Sequence, residues 1–258
     1  MKLSVITINY NDLNGLKKTV DSVINQTYKN FEFLVVDGDS TDNSKQYLEQ
    51  NRHFFTHFIS EPDAGIYDAM NKGASIAKAE YLYFLNSGDE LQGPDALLEI
   101  ESHLDGTDLI YANINIIDGA TKRIKRAPEK LSFRYLYDDL PAHQATFTKR
   151  ILFEKLGGYD ASLKIVADWK FFAVAVLKAN ASYKYINSTF SNFYTGGVSS
   201  LAINAKLLER ERRHILEREF PILLEDIKHQ FYLERTLRSL RKSRRILLLQ
   251  RLGLLNKF

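Results

Sequence analysis

The stretch from Phe33 to Asp42, FLVVDGDSTD, is an apolar run that stops abruptly in acids and small residues. A strand buried on both faces of a parallel sheet has this form, and it delivers its polar tip to the C-terminal edge where open α/β sheets bind ligands. The pattern returns at Tyr81 to Asp89, YLYFLNSGD, which releases Asn86, Ser87, Gly88 and Asp89. A single aspartate after a strand is as readily a turn former or a helix cap. Two acid-tipped strands point instead to a shared polar cleft.

With 258 residues, 45% of them hydrophobic, the chain can bury a full core, as one large domain or a domain with an appendage. It has no cysteine, which excludes disulfides, thiolate metal sites and a cysteine nucleophile and fits a reducing compartment. The opening MKLSVITINYN lacks the long apolar core and cleavage site of a secretory leader. No apolar run approaches the roughly 18 residues that span a bilayer. The expectation is a cytoplasmic protein, soluble or peripheral on the inner face of the cell membrane.

Leu3 to Ile8 reads as a strand, Leu16, Val20, Val23 and Ile24 recur at helical spacing, and Phe31 to Val36 is a strand again, completing a βαβ unit. A helix capped by Thr41 or Asp42 and ending near Arg52 follows, then a short strand from Thr56 to Ile59. Ala69, Met70, Gly73, Ala74 and Ala77 trace one helix face, Tyr81 to Leu85 is a strand, and Pro94 opens another helix. Such alternation implies a parallel sheet covered on both faces.

After Leu109 the pattern changes to a hairpin turning at Asp118-Gly119, with further strands at Ala145 to Thr148, Ser182 to Ile186 and Phe190 to Tyr194. Short helices are expected at Ile151 to Leu156 and Trp169 to Leu177, and from Ile203 onward everything reads as helix, broken near Pro221. The predicted class is α/β: a mixed sheet flanked by helices over residues 1–200, with a basic helical extension over 201–258.

These segments, in this order, resemble the family-2 glycosyltransferases of the GT-A (Rossmann-like) fold. The matching strings are SVITINYN, VVDGDSTD, EPDAGIYDAMNKG from Glu61 to Gly73, YLYFLNSGDE, HQATF from His143 to Phe147, and LGGYD with ADWKFF between Leu156 and Phe172. The resemblance implies an inverting enzyme that moves a hexose or N-acetylhexosamine from a UDP-sugar to a saccharide acceptor, free or lipid-linked, in cell-surface polysaccharide or lipopolysaccharide synthesis.

It also implies roles. Thr7, Asn9 and Asp37 match nucleotide-binding positions, with Asp37 able to accept a hydrogen bond from the imide N–H of uracil. Asp89 matches the ligand of a divalent cation, Mn²⁺ or Mg²⁺, that stabilises the departing diphosphate. The chain departs from the family's commoner pattern here, since Asn86 and Gly88 stand where aspartates are frequent. Asn71 and Lys72 are candidates for ribose and phosphate, Asp63 and Asp68 for sugar hydroxyls or a helix cap. Asp39 either contacts ribose or shapes the turn. Asp168 matches the catalytic base, a role that can coexist with capping the next helix; on spacing alone Asp160 would compete. His143 and Gln144 are expected on the acceptor side, and Trp169 either stacks on a sugar or fills core.

Charge is uneven. Residues 206–258 carry 14 Lys and Arg against seven acids, a net of +7, leaving −4 for the rest. Arg235 to Arg251 contains seven basic residues and no acid, interleaved with leucines. Over 235–255 such a segment fits an anionic membrane surface or, alternatively, a homo-oligomer seam through the C-terminal helices. Two other readings compete with glycosyl transfer. A sugar-phosphate nucleotidyltransferase would need a Gly-rich basic loop after the first strand, which is absent, and a nucleic-acid-binding protein would leave the two acid-tipped strands unexplained.

Overall fold

The structure is a computed structural model and describes residues 1–197, 202–252 and 254–256. Four parallel strands, β1 (Leu3–Asn9), β2 (Phe31–Asp37), β3 (His57–Ser60) and β4 (Tyr81–Phe84), lie in the order β3-β2-β1-β4. The crossovers are α1 (Leu13–Ile24), α2 (Ser44–Gln50) and α3 (Ile66–Ile76). Next come β5 (Glu90–Leu91), α4 (Ala96–Glu101), and the hairpin of β6 (Leu109–Asp118) and β7 (Thr121–Lys125). α5 (Phe133–Asp138), β8 (Thr146–Lys149), α6 (Arg150–Lys155), α7 (Ala167–Leu177) and β9 (Tyr183–Tyr194) complete this body. Beyond β4 the sheet is mixed: β8 is antiparallel to both β4 and β6, β9 runs parallel to β6, and β5 pairs antiparallel with β9.

Alternate side chains along each parallel strand enter two separate cores. Leu3, Val5, Phe33, Val35, Tyr81 and Tyr83 face the layer that holds Leu16, Val20 and Val23 of α1 and Leu97 of α4. Ile6, Ile8, Leu34, Val36, Leu82 and Phe84 face Met70 of α3, Phe153 of α6 and Phe171 of α7. A strand apolar on both sides is therefore required, which is why these segments read as unbroken hydrophobic runs. Gly73 lets α3 approach the sheet: a β-carbon there would come within 2.5 Å of Ile6 Cγ2.

Several elements differ from the sequence reading. α2 begins at Ser44 and not at Thr41 or Asp42, because Asn43 adopts φ 73° and the Asp42 carboxylate instead takes the backbone N–H groups of Leu13 and Ser44. The two strands expected between Ser182 and Tyr194 are one continuous β9, with register irregularity against β6 around Asn113. α5 and β5 were not anticipated. The hairpin stands as read, with Asp118 opposite Thr121 and Gly119 at φ 56°.

The expected boundary at residue 200 falls on residues outside those described. Two compact units divide between Arg212 and Arg213, within α8 (Ala205–Glu219). The second unit continues with α9 (Pro221–Lys242), whose first turn holds Pro221, and α10 (Arg244–Arg251). Leu233, Leu237 and Leu240 of α9 and Leu247, Leu248 and Leu249 of α10 are exposed among the arginines. No described helix is long and apolar enough to cross a membrane.

Candidate active site

The parallel register lines up Asn9, Asp37 and Ser60 at the ends of β1, β2 and β3. Past Phe84 the chain stays beside β1, with Leu85 N–H donating to Ile6 O and Ser87 N–H to Ile8 O. Asn86 to Asp89 are thereby carried to the same edge as Asn9 and Asp37. Thr19 of α1 clamps this loop: its hydroxyl donates to the Asp89 carbonyl at 2.7 Å and accepts from Gly88 N–H at 3.0 Å. Sequence reasoning missed Thr19, since a threonine within an amphipathic helix carries no signal of such a contact.

Asp37 is fully buried, and its carboxylate takes four donors: Asn9 Nδ2, the Ser40 N–H, Ser40 Oγ and Ser60 Oγ. These donors fix Asp37 at the edge of the sheet, and its expected hydrogen bond to uracil stands as a proposal. Thr7 is also buried, donating to Leu85 O at 2.8 Å, and so joins β1 to the β4 extension. Asn9 differs. Its amide is tied to Asp37, yet its Oδ1 is buried without a partner, as are Asn86 Oδ1 and Ser87 Oγ. Buried polar atoms are ordinarily paired, so three orphans at the tips of β1 and β4 mark where a polar ligand belongs.

Beside them, Gly38 leaves room for a second carboxylate. A β-carbon at Gly38 would meet Asp63 Oδ2 at 2.5 Å and the Tyr10 ring at 3.1 Å. Asp63 is held there by accepting from Gly65 N–H at 2.8 Å. Asp39 is exposed with φ 62°, a turn-shaping conformation that aspartate tolerates.

Asp89 is 6% exposed, and burial pushes its carboxyl up to about 7 even though His143, Gln144, the Tyr194 backbone and Lys18 each favour the anion. Among the described residues no three His, Cys, Asp or Glu converge on one point. A hard cation held through one protein carboxylate and substrate phosphates needs no such cluster. Asp89 fits that donor set, because a neighbouring cation would offset the cost of burying its charge. Glu90 instead accepts from the Tyr194 hydroxyl and pairs with Lys18 at 3.3 Å.

Asp168 lies in the first turn of α7. Oδ1 accepts from Trp169 N–H at 2.8 Å and lies 3.1 Å from the Tyr67 hydroxyl, whose proton goes to Ile165 O at 2.5 Å, while Oδ2 faces His143 Nδ1 at 3.4 Å. Burial works to raise its pKa, but these donors outweigh it and hold the carboxyl below the usual range. Its rival Asp160 is spent on Lys170 at 2.6 Å and on Ser162, which lower it to about 2.

His143 and Gln144 are adjacent and reach in two directions. Gln144 is buried beside Asp89 and favours its anion, and its backbone carbonyl accepts from the Tyr83 hydroxyl at 2.9 Å and from Ser191 Oγ at 2.6 Å. Trp169 is 1% exposed and its indole N–H donates to Leu136 O at 2.6 Å, which places it in the core, one of its two expected roles. Asn71 spends both ends of its amide on the Tyr159 backbone. Lys72 is engaged by Glu61 at 2.9 Å and Pro62 O at 2.7 Å, in the turn that leaves β3.

Residues 4–163 match the family model described as Glycosyl transferase family 2. An uncharacterised glycosyltransferase of Mycobacterium tuberculosis (strain CDC 1551 / Oshkosh) is 35% identical over 237 residues, covering 89% of each chain. A PGL/p-HBAD biosynthesis glycosyltransferase of Mycobacterium bovis (strain BCG / Pasteur 1173P2) is 28% identical, covering 80% of this chain and 82% of its own. Among solved structures, S. aureus TarS 1-349 in complex with UDP-GlcNAc superposes with a TM-score of 0.65 at 21% identity, over 78% of this chain and 61% of that one. The mannosyltransferase PcManGT from Pyrobaculum calidifontis, in complex with GDP-Man and Mn²⁺, gives 0.58 at 16% identity, over 82% and 60%. The chain thus spans about three fifths of these solved chains. The mixed sheet with its flanking helices is that of GT-A glycosyltransferases, and by its sequence the chain belongs to glycosyl transferase family 2 and is a transferase.

Proposed function

We propose that this enzyme transfers a hexose or N-acetylhexosamine from a UDP-sugar to a saccharide acceptor with inversion at the anomeric carbon. The observation that carries the reading is His143, which meets Asp168 through one ring nitrogen and Asn86 through the other, tying the candidate base to the loop that ends in Asp89, with one carboxyl held low and the other raised by burial. Environments that push two acids apart are how one site separates its charge roles. The UDP-GlcNAc held by TarS supports a uridine donor here.

Asp168, kept anionic, takes the proton of the acceptor hydroxyl. The freed oxygen attacks the anomeric carbon from the face opposite the diphosphate, the C1–O bond to phosphate breaks, and its electron pair leaves on UDP. An α-linked donor then yields a β-linked product. Asp89 would hold Mn²⁺ or Mg²⁺, which when bound supplies Lewis-acid stabilisation of the departing diphosphate. The unpaired oxygens of Asn9, Asn86 and Ser87 are available to donor hydroxyls.

The second unit is read as a membrane-docking element on the cytoplasmic face, suited to a lipid-linked acceptor in polysaccharide or lipopolysaccharide assembly. No acid follows Glu234, so a second copy of the segment would set like charge against like, whereas anionic headgroups complement the arginines and admit the exposed leucines. Release of UDP from a panel of UDP-sugars with Mn²⁺ and saccharide acceptors tests the central reading. Transfer by the native chain supports it, and turnover of none of them overturns it.

A further inference from the structure

His143 opens the helical turn His143–Ala145 just before β8 and is contacted on both ring nitrogens. Nδ1 lies 3.4 Å from Asp168 Oδ2, and Nε2 lies 3.3 Å from the Asn86 amide. A carboxylate can only accept, so the proton between ring and Asp168 sits on Nδ1. With that proton on Nδ1, Nε2 accepts from the Asn86 amide nitrogen that faces it. Asn86 belongs to the β4 tip and Asp168 to α7, so one imidazole joins the donor-side edge to the base.

The donors around Asp168 can be counted. Oδ1 has one donor, Trp169 N–H, with the Tyr67 oxygen at 3.1 Å on that same atom and its proton engaged by Ile165 O at 2.5 Å, and Oδ2 has one, from His143. The Trp169 and Tyr67 contacts crowd Oδ1, so the side of the carboxylate open to an incoming hydroxyl is on Oδ2, next to the bond from His143. Whatever orients that bond orients the remaining lone pair.

We propose that His143 is a positioning residue for the transfer step: its Nδ1–H fixes Oδ2 of Asp168 so that the open lone pair meets the acceptor hydroxyl, while Nε2 anchors the ring to Asn86. The inference rests on the reading of Asp168 as base. Besides His143, the groups facing Asp168 are the hydroxyl of Tyr67 on α3, Tyr159 in the preceding loop and, at longer range, Arg212 on α8. His143 alone of these also holds the β4 tip.

Three variants separate the two ring contacts. An asparagine amide falls near Nδ1 of a histidine and a glutamine amide near Nε2, so His143→Asn keeps the bond to Asp168, His143→Gln keeps the bond to Asn86, and His143→Ala keeps neither. The expected result is a kcat lowered about 10–100-fold in the Gln and Ala variants, with the KM for donor unchanged, and lowered less than about 3-fold in the Asn variant. The acid limb of kcat moves to higher pH in Gln and Ala only, because the anion of Asp168 has lost a donor there. The ¹³C carboxyl titration of Asp168 follows the same order and needs no turnover. Equal losses in all three variants with an unmoved acid limb would show a merely structural histidine, and a raised donor KM at constant kcat would make His143 a donor contact; either overturns the proposal. A wild-type enzyme that transfers no sugar would instead sink the glycosyltransferase reading, and the carboxyl titration would still decide the role of His143.

Discussion

Asn71 on α3 and Tyr159 in the loop before α7 are joined by two hydrogen bonds: the amide nitrogen donates to the Tyr159 carbonyl at 2.8 Å and Tyr159 N–H donates to Oδ1 at 2.9 Å. The side chain acts as a strand would, pairing both backbone groups of one residue. Asn71→Ala leaves them unpaired in a mostly buried place and should cost about 2–3 kcal/mol, read as a lower urea midpoint at unchanged m-value. Asn71→Asp keeps the acceptor and should cost less.

Asp168→Asn keeps the shape of the base and removes its charge. We expect kcat to fall about 10²–10⁴-fold, with UDP affinity by calorimetry within a factor of about two of the wild type. A variant with ordinary turnover would assign the proton to another group.

Asp89 makes stability depend on pH in a defined direction. Its carboxyl rises from 3.8 in the unfolded chain to about 7 in the fold, so it favours folding most fully below about pH 4 and that contribution is lost as the pH climbs towards 7. In buffer without divalent cations, Asp89→Asn should therefore melt above the wild type at pH 8, by an amount of the order of 2–4 kcal/mol, and converge with it near pH 4. Adding Mn²⁺ at pH 8 should raise the wild-type midpoint and leave the variant unmoved. The same variant should have lost metal-supported transfer.

Removing residues after Ser239 should abolish flotation with vesicles rich in anionic lipid and leave UDP release on a soluble acceptor intact. Flotation of the full chain should weaken between low and physiological salt, as expected for exposed arginines at a charged surface. Binding that ignores salt, or survives the truncation, assigns the segment to another partner.

The parallel half of the fold was legible because its strands are buried on both faces, and unbroken apolar runs such as Val35-Val36 admit few other placements. β9 was split because Asn187 and Ser188 look like a turn, and only pairing along β6 shows the strand continuing. α5 escaped because six residues are too few for a helical period to register. At the site, acids at strand ends could be found, and which way they face could not. Asp37 and Asp89 carry the same signal in sequence, yet one is saturated by serines and asparagine from three strands and loops while the other is forced upward by burial. Asn71 and Trp169 matched by position, but their partners come from segments far along the chain, which no local pattern specifies.

The missing side chain at Gly38 binds two distant positions into an epistatic pair. An alanine there must displace the Asp63 carboxylate, and with it the bond to Gly65 N–H, so Gly38→Ala is harmful alone and much less so once Asp63 is shortened. In a library randomising both codons, survivors should be correlated: bulk gained at 38 is matched by bulk surrendered at 63.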